Sequence, residues 1–407
     1  MPWREMSPVE QRQQLIRDWA SELWTVTELA AQYGVSRKTV YLWLDRYAAE
    51  GVSGLVDRSR RPRHQPQATP ADVVETLVDL RRRHPQWGAT KLLTVAARSA
   101  PRVTWPCRST VCTLLKHHGL VRPRRRRHRP ASGSRPRPPS AVNEVWTTDF
   151  KGEFRTGDRR YCYPWTLRDG FSRFVLCCTA LTGPTYEATR RGFERAFAEY
   201  GLPERIRSDN GPPFASTGIG RLSRLAVWWI RLGIAPERIA LGRPEQNGSH
   251  EQFHAVLKAA TTRPPAATAR AQQRRFNAFC AEYNQERPHE ALALQTPATV
   301  YRASRRALPR TLPSIEYPGH YQVHRVHGNG CVWWRDRVLF VSNALIGEHV
   351  AFEEVDDGWW TVYFASVPLA RFEERHRRLW PMASFSAGRS ASSAGAAPVM
   401  KKRPNDE

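Results

Sequence analysis

The chain has 407 residues, a length that allows roughly two to four domains. Its 63 Lys and Arg residues outnumber its 38 Asp and Glu residues, and the net charge of +25 favours a polyanionic partner, nucleic acid before any other. The sequence argues against a membrane protein, because it has no apolar run long enough to span a bilayer, no signal-peptide core at its N-terminus and no basic amphipathic helix with an aromatic face.

Residues 1–58 predict a helix-turn-helix DNA-binding domain. Two segments with helical apolar spacing precede a tight turn, and Ser36 caps a recognition helix that runs to Tyr47. Residues at the start of that helix would meet base edges and phosphates: Arg37, Lys38 and Thr39. An ordinary three-helix bundle is the alternative, but the compact Ala-Ala-x-x-Gly-Val-Ser turn favours DNA binding.

Residues 70–121 predict a second helix-turn-helix-like DNA-binding domain. Three helices are expected, over 72–84, 89–98 and 109–118, and Gly119 ends the last one. Basic side chains on these helices could track phosphate, with a solvated charged surface as the alternative: Arg81, Arg82, Arg83 and Lys91.

Residues 122–142 form a basic linker rich in Pro and Arg. Between Asp79 and Glu144 there is no acidic residue but there are 16 Lys and Arg residues, four of them consecutive: Arg124, Arg125, Arg126 and Arg127. Such a composition cannot build a core and predicts an extended or disordered segment. Next to a DNA site we expect it to lie along a phosphate backbone, although alone it could equally serve solubility.

The pattern becomes α/β over residues 143–305, where the predicted order of elements, β-β-β-α-β-α-β-α-α, implies a mixed sheet. Asp169-Gly170 marks a hairpin, so Asp169 is a turn residue first and a metal ligand only as a remote option. The strands are predicted at Val145–Phe154, Tyr161–Leu167, Phe171–Leu181, Arg205–Ser208 and Ile234–Ile239.

Three acidic residues of this region could meet at the edge of the sheet. Asp149 and Asp209 each follow a β-type run, and Asn-Gly-Pro-Pro stops the second run just after its aspartate. Glu251 lies in the first turn of a predicted helix, whose N-terminus favours a charged carboxylate. Three carboxylates on two strands and a helix would make a site for Mg²⁺ or Mn²⁺, which prefer oxygen ligands.

The helix that carries Glu251 is predicted to begin at Ser249, an N-cap that forms a capping box with Gln252. Its core-facing residues are expected to be Phe253, Val256, Leu257 and Ala260. The opposite face would carry Glu251, His254 and Lys258, and Lys258 could meet the phosphate of a bound DNA end, with a solvated lysine as the alternative.

The last part of the chain predicts a different fold. Residues 316–376 contain short β-type runs joined by Asn329-Gly330 and Asp357-Gly358, which is typical of a small β-barrel. Residues 381–407 are rich in Ser, Ala and Gly and predict a disordered tail.

Four stretches together resemble a known family: Val145-Trp-Thr-Thr-Asp-Phe-Lys-Gly152, Ile206-Arg-Ser-Asp-Asn-Gly211, Gln246-Asn-Gly-Ser-His-Glu251 and Tyr283-Asn-Gln-Glu-Arg-Pro-His-Glu-Ala-Leu292. The chain resembles bacterial insertion-sequence transposases with a DDE integrase core, which is similar to the core of retroviral integrases. This resemblance implies an RNase H-like core that holds two Mg²⁺ or Mn²⁺ ions, and an SH3-like C-terminal barrel. Asp149 would bridge both ions, while Asp209 holds one and Glu251 the other.

The third acid could be Glu245 or Glu251. Glu245 lies 245 − 209 = 36 positions after Asp209, so that 35 residues intervene, which is the spacing of the D,D-35-E pattern. In the family the catalytic Glu follows a Gly by three residues at the start of a helix, and Gly248 plus three is Glu251. Because Glu245 precedes Asn247-Gly248 and should lie in a loop, we prefer Glu251. Gln252 departs from the Arg often found there, which could weaken a DNA contact.

The function implied is a DNA transposase that binds the terminal repeats of a mobile element, cuts its ends and joins them to target DNA. The expected partners are double-stranded DNA and further copies of the chain assembled on it. The alternatives are an RNase H-like nuclease that only hydrolyses and a catalytically silent helix-turn-helix regulator. Seven scattered cysteines without a Cys-x-x-Cys suit a reducing bacterial cytoplasm, with nucleoid association when DNA is bound.

Overall fold

Side-chain caps define the three helices of the first unit of the chain, Met1–Thr69. The computed structural model describes residues 6–59, 68–121, 138–216, 218–239, 248–375 and 379–382. The helices of this unit are α1 Pro8–Ala20, α2 Val26–Gln32 and α3 Arg37–Glu50. Each begins with a hydroxyl N-cap that accepts a hydrogen bond from the backbone N–H three residues on: Ser7, Thr25 and Ser36.

The predicted helix-turn-helix is confirmed in this unit. Gly34, with φ of 61°, makes the turn between α2 and α3, and α3 begins at Arg37 directly after its Ser36 cap. Leu29, Val40 and Leu55 are fully buried and form the centre of the small core. The side chains of Arg37 and Lys38 are exposed at the first turn of α3.

The second unit, Pro70–Glu407, begins with three helices. They are α4 Ala71–Arg83, α5 Ala89–Ser99 and α6 Arg108–His117, within two residues of the predicted bounds. Trp87, Leu92 and Val111 are at most 1% exposed at the centre of their core.

A mixed sheet forms the middle of the second unit, as predicted, but it has six strands instead of five, because the run Val145–Phe154 forms two strands and not one. Its strands are β1 Val145–Phe150, β2 Phe154–Arg155, β3 Tyr161–Asp169, β4 Val175–Leu181, β5 Arg205–Ser208 and β6 Ala235–Arg238. Their order is β2-β3-β1-β5-β6, with β4 paired to β3. β1 is antiparallel to β3 and parallel to β5, and β6 lies at one edge of the sheet, parallel to β5.

Helices cover both faces of this sheet. They are α7 Tyr186–Tyr200, α8 Arg224–Arg231, α9 Gly248–Thr261, α10 Ala269–Gln285 and α11 Pro297–Val300. On α7 and α8, Phe193 and Trp229 pack in one core with Trp165 of β3. On α9 and α10, Phe253 and Phe276 pack in a second core that includes residues of β3 and β4.

The C-terminal region is a pair of antiparallel sheets. Its strands are β7 Gln322–Arg325, β8 Cys331–Trp334, β9 Arg337–Phe340, β10 His349–Asp356, β11 Trp359–Phe364, β12 Val367–Glu373 and β13 Trp380–Pro381. One sheet has the order β13-β12-β11-β10-β7, and β8 and β9 pair only with each other. The predicted SH3-like barrel is therefore not confirmed, because these strands close no barrel over residues 316–375 and 379–382.

The C-terminal sheets share one hydrophobic core with the α/β region. Trp334 of β8 packs against Phe352 and Trp360 of the larger sheet, with ring centroids 4.4 and 4.6 Å apart. The same buried cluster continues without a break into α8 at Trp228. At its rim, Arg231 of α8 donates to Glu348 at 2.6 Å.

Candidate active site

Asp149 and Asp209 lie side by side because β1 and β5 are parallel neighbours. In their pairing Val145 lies opposite Arg205 and Thr147 opposite Arg207. The same register, carried two residues further, sets Asp149 level with Asp209, which follows β5 directly. The first two acids predicted from the sequence are thus brought together at the carboxyl ends of two strands.

Glu251 lies on α9, the helix that packs beside Asp149. It is exposed in the first turn of the helix, and Phe253 and Leu257, at most 2% exposed, fix the helix to the sheet. Its negative charge contributes to raising the pKa of Asp149, so the two carboxylates lie within electrostatic reach of one another. Glu245, the rival third acid, lies outside the described residues, as do Arg124, Arg125, Arg126 and Arg127.

Burial and neighbouring negative charge together set the electrostatics of the site. Burial, followed by the charge of Asp209, raises the pKa of Asp149 to about 7. Burial also raises the pKa of Asp209, and its buried Oδ1 has no hydrogen-bond partner among the described residues. Two partly buried carboxylates that repel each other, with a third on the neighbouring helix, offer the oxygen ligands that hard divalent cations prefer.

Two histidines that the sequence analysis did not place in the core hold α9 against the sheet. His250 is fully buried between two threonines, with Nδ1 2.9 Å from Thr147 Oγ1 and Nε2 2.7 Å from Thr166 Oγ1. His254 is 5% exposed, and its Nε2 is 2.8 Å from the same Thr166 hydroxyl. The predicted outward orientation of His254 is therefore wrong.

The protonation of this network follows from its partners. Burial is the first cause that lowers the pKa of both imidazoles, that of His254 to about 3, so both rings are neutral. The Thr166 hydroxyl donates to the carbonyl oxygen of Asp149 at 3.1 Å, which leaves its oxygen to accept from both Nε2–H groups. His254 then carries a bare Nδ1, 3.7 Å from Asp149 Oδ2.

These histidines lie close enough to Asp149 to contribute to a metal site. The ligand atoms of Asp149, His250 and His254 all lie within 4.8 Å of one another. Both ring nitrogens of His250 already face threonine hydroxyls, so His250 acts as a support for α9. His254 Nδ1 is the nitrogen that faces the carboxylate.

The start of α9 also differs from the prediction. The helix begins at Gly248, so Ser249 lies inside its first turn and is not the N-cap. Instead, the Ser249 hydroxyl accepts hydrogen bonds from Arg168, at 2.7 Å, and from Arg173. The buried face, which includes His250, His254 and Thr261, is rotated by roughly 60° from the predicted apolar stripe.

Four of the residues predicted to contact DNA are described by the structure, and all four lie at or near the surface. Arg37, Lys38 and Lys258 are exposed, and Thr39 is half-buried, with its hydroxyl 2.9 Å from Ser36 Oγ. The described residues include no helix long and apolar enough to cross a membrane.

Comparison with known families identifies the regions just described. Residues 139–244 match the Integrase core domain, and a second Integrase core domain description matches residues 232–297. A Helix-turn-helix domain matches residues 11–63 and a Homeodomain-like domain matches residues 39–115.

Two curated proteins are similar over the same part of the chain. The insertion element IS407 uncharacterized 31.7 kDa protein of Burkholderia multivorans is 27% identical over 242 residues, which are 58% of this chain and 82% of that protein. The insertion element IS476 uncharacterized 39.2 kDa protein of Xanthomonas euvesicatoria is 29% identical over 243 residues, 58% of this chain and 67% of that protein.

Among solved structures, this chain is similar to the HTLV-2 integrase catalytic core domain in complex with magnesium. The alignment covers 40% of this chain and 99% of that structure's chain. The sequence identity is 18% and the TM-score is 0.30.

The Thr166 hydroxyl should be necessary for stability. In Thr166→Val, two buried imidazole N–H groups and the Asp149 carbonyl lose a partner, and we expect the free energy of unfolding to fall by about 3 kcal/mol. The measurement is the midpoint of urea unfolding at an unchanged slope. Thr113→Val, which removes an exposed hydroxyl on α6, is the control and should change stability by less than about 0.5 kcal/mol. Equal effects of the two changes would rule out the network.

The raised pKa of Asp149 predicts a pH-dependent effect of Asp149→Asn without divalent cations. Because the folded pKa is about 7 and the unfolded value about 3.9, the native chain loses stability as pH rises through this window, by up to about 1.4 kcal/mol per pH unit. The gain from Asp149→Asn should therefore grow from pH 4 to pH 7 and then level off, as measured by thermal unfolding in EDTA.

Asp158→Asn is the control, because this substitution should change the stability in the opposite direction. A hydrogen bond from the Thr156 hydroxyl lowers the pKa of Asp158, so the native carboxylate stabilises the fold once pH exceeds its unfolded pKa. This variant should lose stability relative to the native chain above pH 4. A gain that does not vary with pH for Asp149→Asn would contradict the charge crowding.

Proposed function

With an integrase core domain and helix-turn-helix domains, this chain is a DDE-type transposase of the bacterial insertion-sequence kind, and we propose that Asp149, Asp209 and Glu251 are its three catalytic acids. The observation that carries this assignment is the crowding of their charges where β1 and β5 end beside α9. Such repulsion destabilises an enzyme without cations and favours the binding of divalent ones.

We propose that two Mg²⁺ or Mn²⁺ ions bind here and that Asp149, Asp209 and Glu251 would hold them. When bound, the cations would activate the attacking oxygen and stabilise the leaving oxygen of a phosphodiester. The chain's own contribution is to hold three carboxylates rigidly on paired strands and a packed helix. Water is the attacking group when an element end is cut, and the freed 3′-hydroxyl is the attacking group in joining to target DNA.

The DNA-binding domains select the substrate. We propose that α3 lies in the major groove of the element's terminal repeats, with Arg37, Lys38 and Thr39 at base edges and phosphates. Arg124, Arg125, Arg126 and Arg127 are proposed to follow the phosphate backbone. Lys258, exposed two turns after Glu251, is proposed to contact the phosphate of the bound DNA end. Synapsis of two ends implies a homo-oligomer on DNA, in the bacterial cytoplasm at the nucleoid.

The third acid can be tested by comparing two variants side by side. Glu251→Gln should reduce strand transfer of pre-cut end DNA by at least about 100-fold in Mg²⁺ and in Mn²⁺, because small displacements of reacting groups have effects of that size. Glu245→Gln should retain most activity, since Glu245 is expected in a loop. The reverse result would overturn both the assignment of Glu251 and its position on α9.

Asp149→Asn and Asp209→Asn should abolish strand transfer with end binding largely intact, because separate domains hold DNA and metal. The same assay distinguishes the related activities: cut products without joined ones would indicate a hydrolytic nuclease, and bound but unchanged DNA would indicate a regulator. Loss of end binding in every acid variant, with folding intact, would contradict the division of labour.

The role of α3 predicts a separation of specific from non-specific binding. Full-length protein should bind end DNA with a log–log salt slope of roughly −0.9 per phosphate contact. Arg37→Ala or Lys38→Ala should weaken binding to the element's ends more than binding to random DNA, as measured by fluorescence anisotropy at several salt concentrations. If affinity for end DNA and for random DNA falls equally, Arg37 and Lys38 contact phosphates and do not read bases.

A further inference from the structure

A cavity of about 400 Å³ lies between α5, the β3–β4 hairpin, the first half of α9, and the end of α10 with the residues that follow it. Four basic residues line it: Lys91, Arg168, Arg173 and Arg287. Its wall also includes Ser249 and Gln252, the residues on either side of His250 and Glu251, and the exposed Glu290. The cavity therefore opens within one helical turn of the third proposed catalytic acid, but none of the three acids lines it.

Two of the four basic side chains are deeply buried and incompletely bonded. Arg168 is 2% exposed and Arg287 is 8% exposed, and the Nε of each has no hydrogen-bond partner among the described residues. An unpaired donor on a buried guanidinium has a large desolvation penalty unless an acceptor arrives. Both residues line the cavity, so an anion within it would lie beside two buried guanidinium charges.

The nearby carboxylates have other partners. Asp169, next to Arg168, accepts hydrogen bonds from the backbone N–H groups of Asn143 and Ser172. Glu282, next to Arg287, lies 2.9 Å from Nδ1 of His84. Among the described residues that line the wall, Glu290 is the one carboxylate, against four basic residues.

The excess of positive charge affects the pKa of His289. Burial is the first cause that lowers its pKa, to about 3, and the charges of Lys91, Arg287, Arg168 and Arg173 each lower it further. Burial, followed by the charge of Arg287, likewise lowers the pKa of Lys91 to about 8. Both groups therefore lie in a positive field that an anion would relieve.

The start of α9 adds donors to the same cavity. Its first-turn N–H groups and helix dipole favour an anion. The Ser249 oxygen accepts from Arg168 and Arg173, so its own proton is left to donate. A volume of about 400 Å³ lies within the roughly 300–1,000 Å³ of small-ligand sites, so a phosphate with part of its sugar would fit.

We propose that this cavity binds a phosphate group of the DNA strand whose neighbouring phosphodiester lies at Asp149, Asp209 and Glu251. The shared chemistry is that of a phosphate oxyanion, and the assignment of the phosphate to DNA rests on the proposed function. The bound phosphate fixes the strand's register relative to α9, so the attacked phosphodiester and the third acid are positioned by the same helix. The Tyr283–Leu292 motif contributes Arg287 and His289 to the cavity, so its role would be to bind this phosphate.

The first experiment measures thermal unfolding of the full chain in inorganic phosphate, against chloride at equal ionic strength. A ligand that binds only the folded state raises the unfolding temperature with its concentration. Phosphate should therefore raise the Tm of the native chain, and Lys91→Gln and Arg173→Gln should each lose at least half of that rise. Lys116→Gln removes an exposed lysine of α6 outside the cavity and should keep the full rise.

The second experiment tests whether the phosphate belongs to DNA. Neutral methylphosphonate replaces one phosphate at a time in the strand of a pre-cut end, and Kd is measured without divalent cations. One position should weaken binding by the native chain about tenfold, the equivalent of 1.4 kcal/mol, and should weaken binding by Lys91→Gln less than twofold. Arg173→Gln provides the same comparison if Lys91→Gln does not fold.

An equal phosphate effect in the cavity variants and in Lys116→Gln would overturn the proposal. The cavity variants could lose the phosphate-dependent rise in Tm while no methylphosphonate position has a smaller effect in Lys91→Gln than in the native chain. That result would contradict DNA as the source of the bound phosphate and would indicate a site for free phosphate. If both experiments give the expected result but the protein transfers no strand, the phosphate site is supported and the proposed function is rejected. If the protein transfers strands but phosphate has no effect, the proposed function is supported and the phosphate site is rejected.

Discussion

The parallel pairing of β1 with β5 is the constraint on which the site depends. Hydrogen bonding between these strands sets the backbone of Asp149 level with that of Asp209. Burial and mutual repulsion then raise the pKa of Asp149 to about 7. The backbone therefore enforces an unfavourable arrangement of charge, which the core on both faces of the sheet stabilises.

The position of α9 depends on a second, polar contact. Thr166, opposite Asp149 in the β1–β3 pairing, joins β3 to both histidines of the helix through one hydroxyl. Apolar packing by Phe253 and Leu257 fixes the distance of the helix from the sheet, whereas hydrogen bonds to His250 and His254 fix its rotation. Since Glu251 lies between them, its direction is set by this rotation.

Much of the fold could be predicted from the sequence because its signals are local. Strand-forming runs, hairpin turns and hydroxyl caps gave the helix-turn-helix and the element order of the mixed sheet. The wrong details depend on residues distant in sequence: Ser249 meets Arg168 and Arg173, 81 and 76 residues earlier, and His250 meets Thr147, 103 residues earlier. The open C-terminal sheets belong to the same group, because hairpin signals identify strands without specifying which edges pair. For the site, the sequence pointed to Asp149, Asp209 and Glu251, whose catalytic roles stay predictions.

The continuous core between α8 and the C-terminal sheets has a consequence for how the chain can be divided. Trp228, Trp229 and Trp334 belong to one buried cluster, so the C-terminal region and the α/β region unfold as a single cooperative body. A fragment that ended before β7 would expose the apolar face of α8 to water and would be prone to aggregation. Recombination between related genes would therefore have to exchange these two regions together, whereas the helix-turn-helix unit of Met1–Thr69 has its own core and can be exchanged alone.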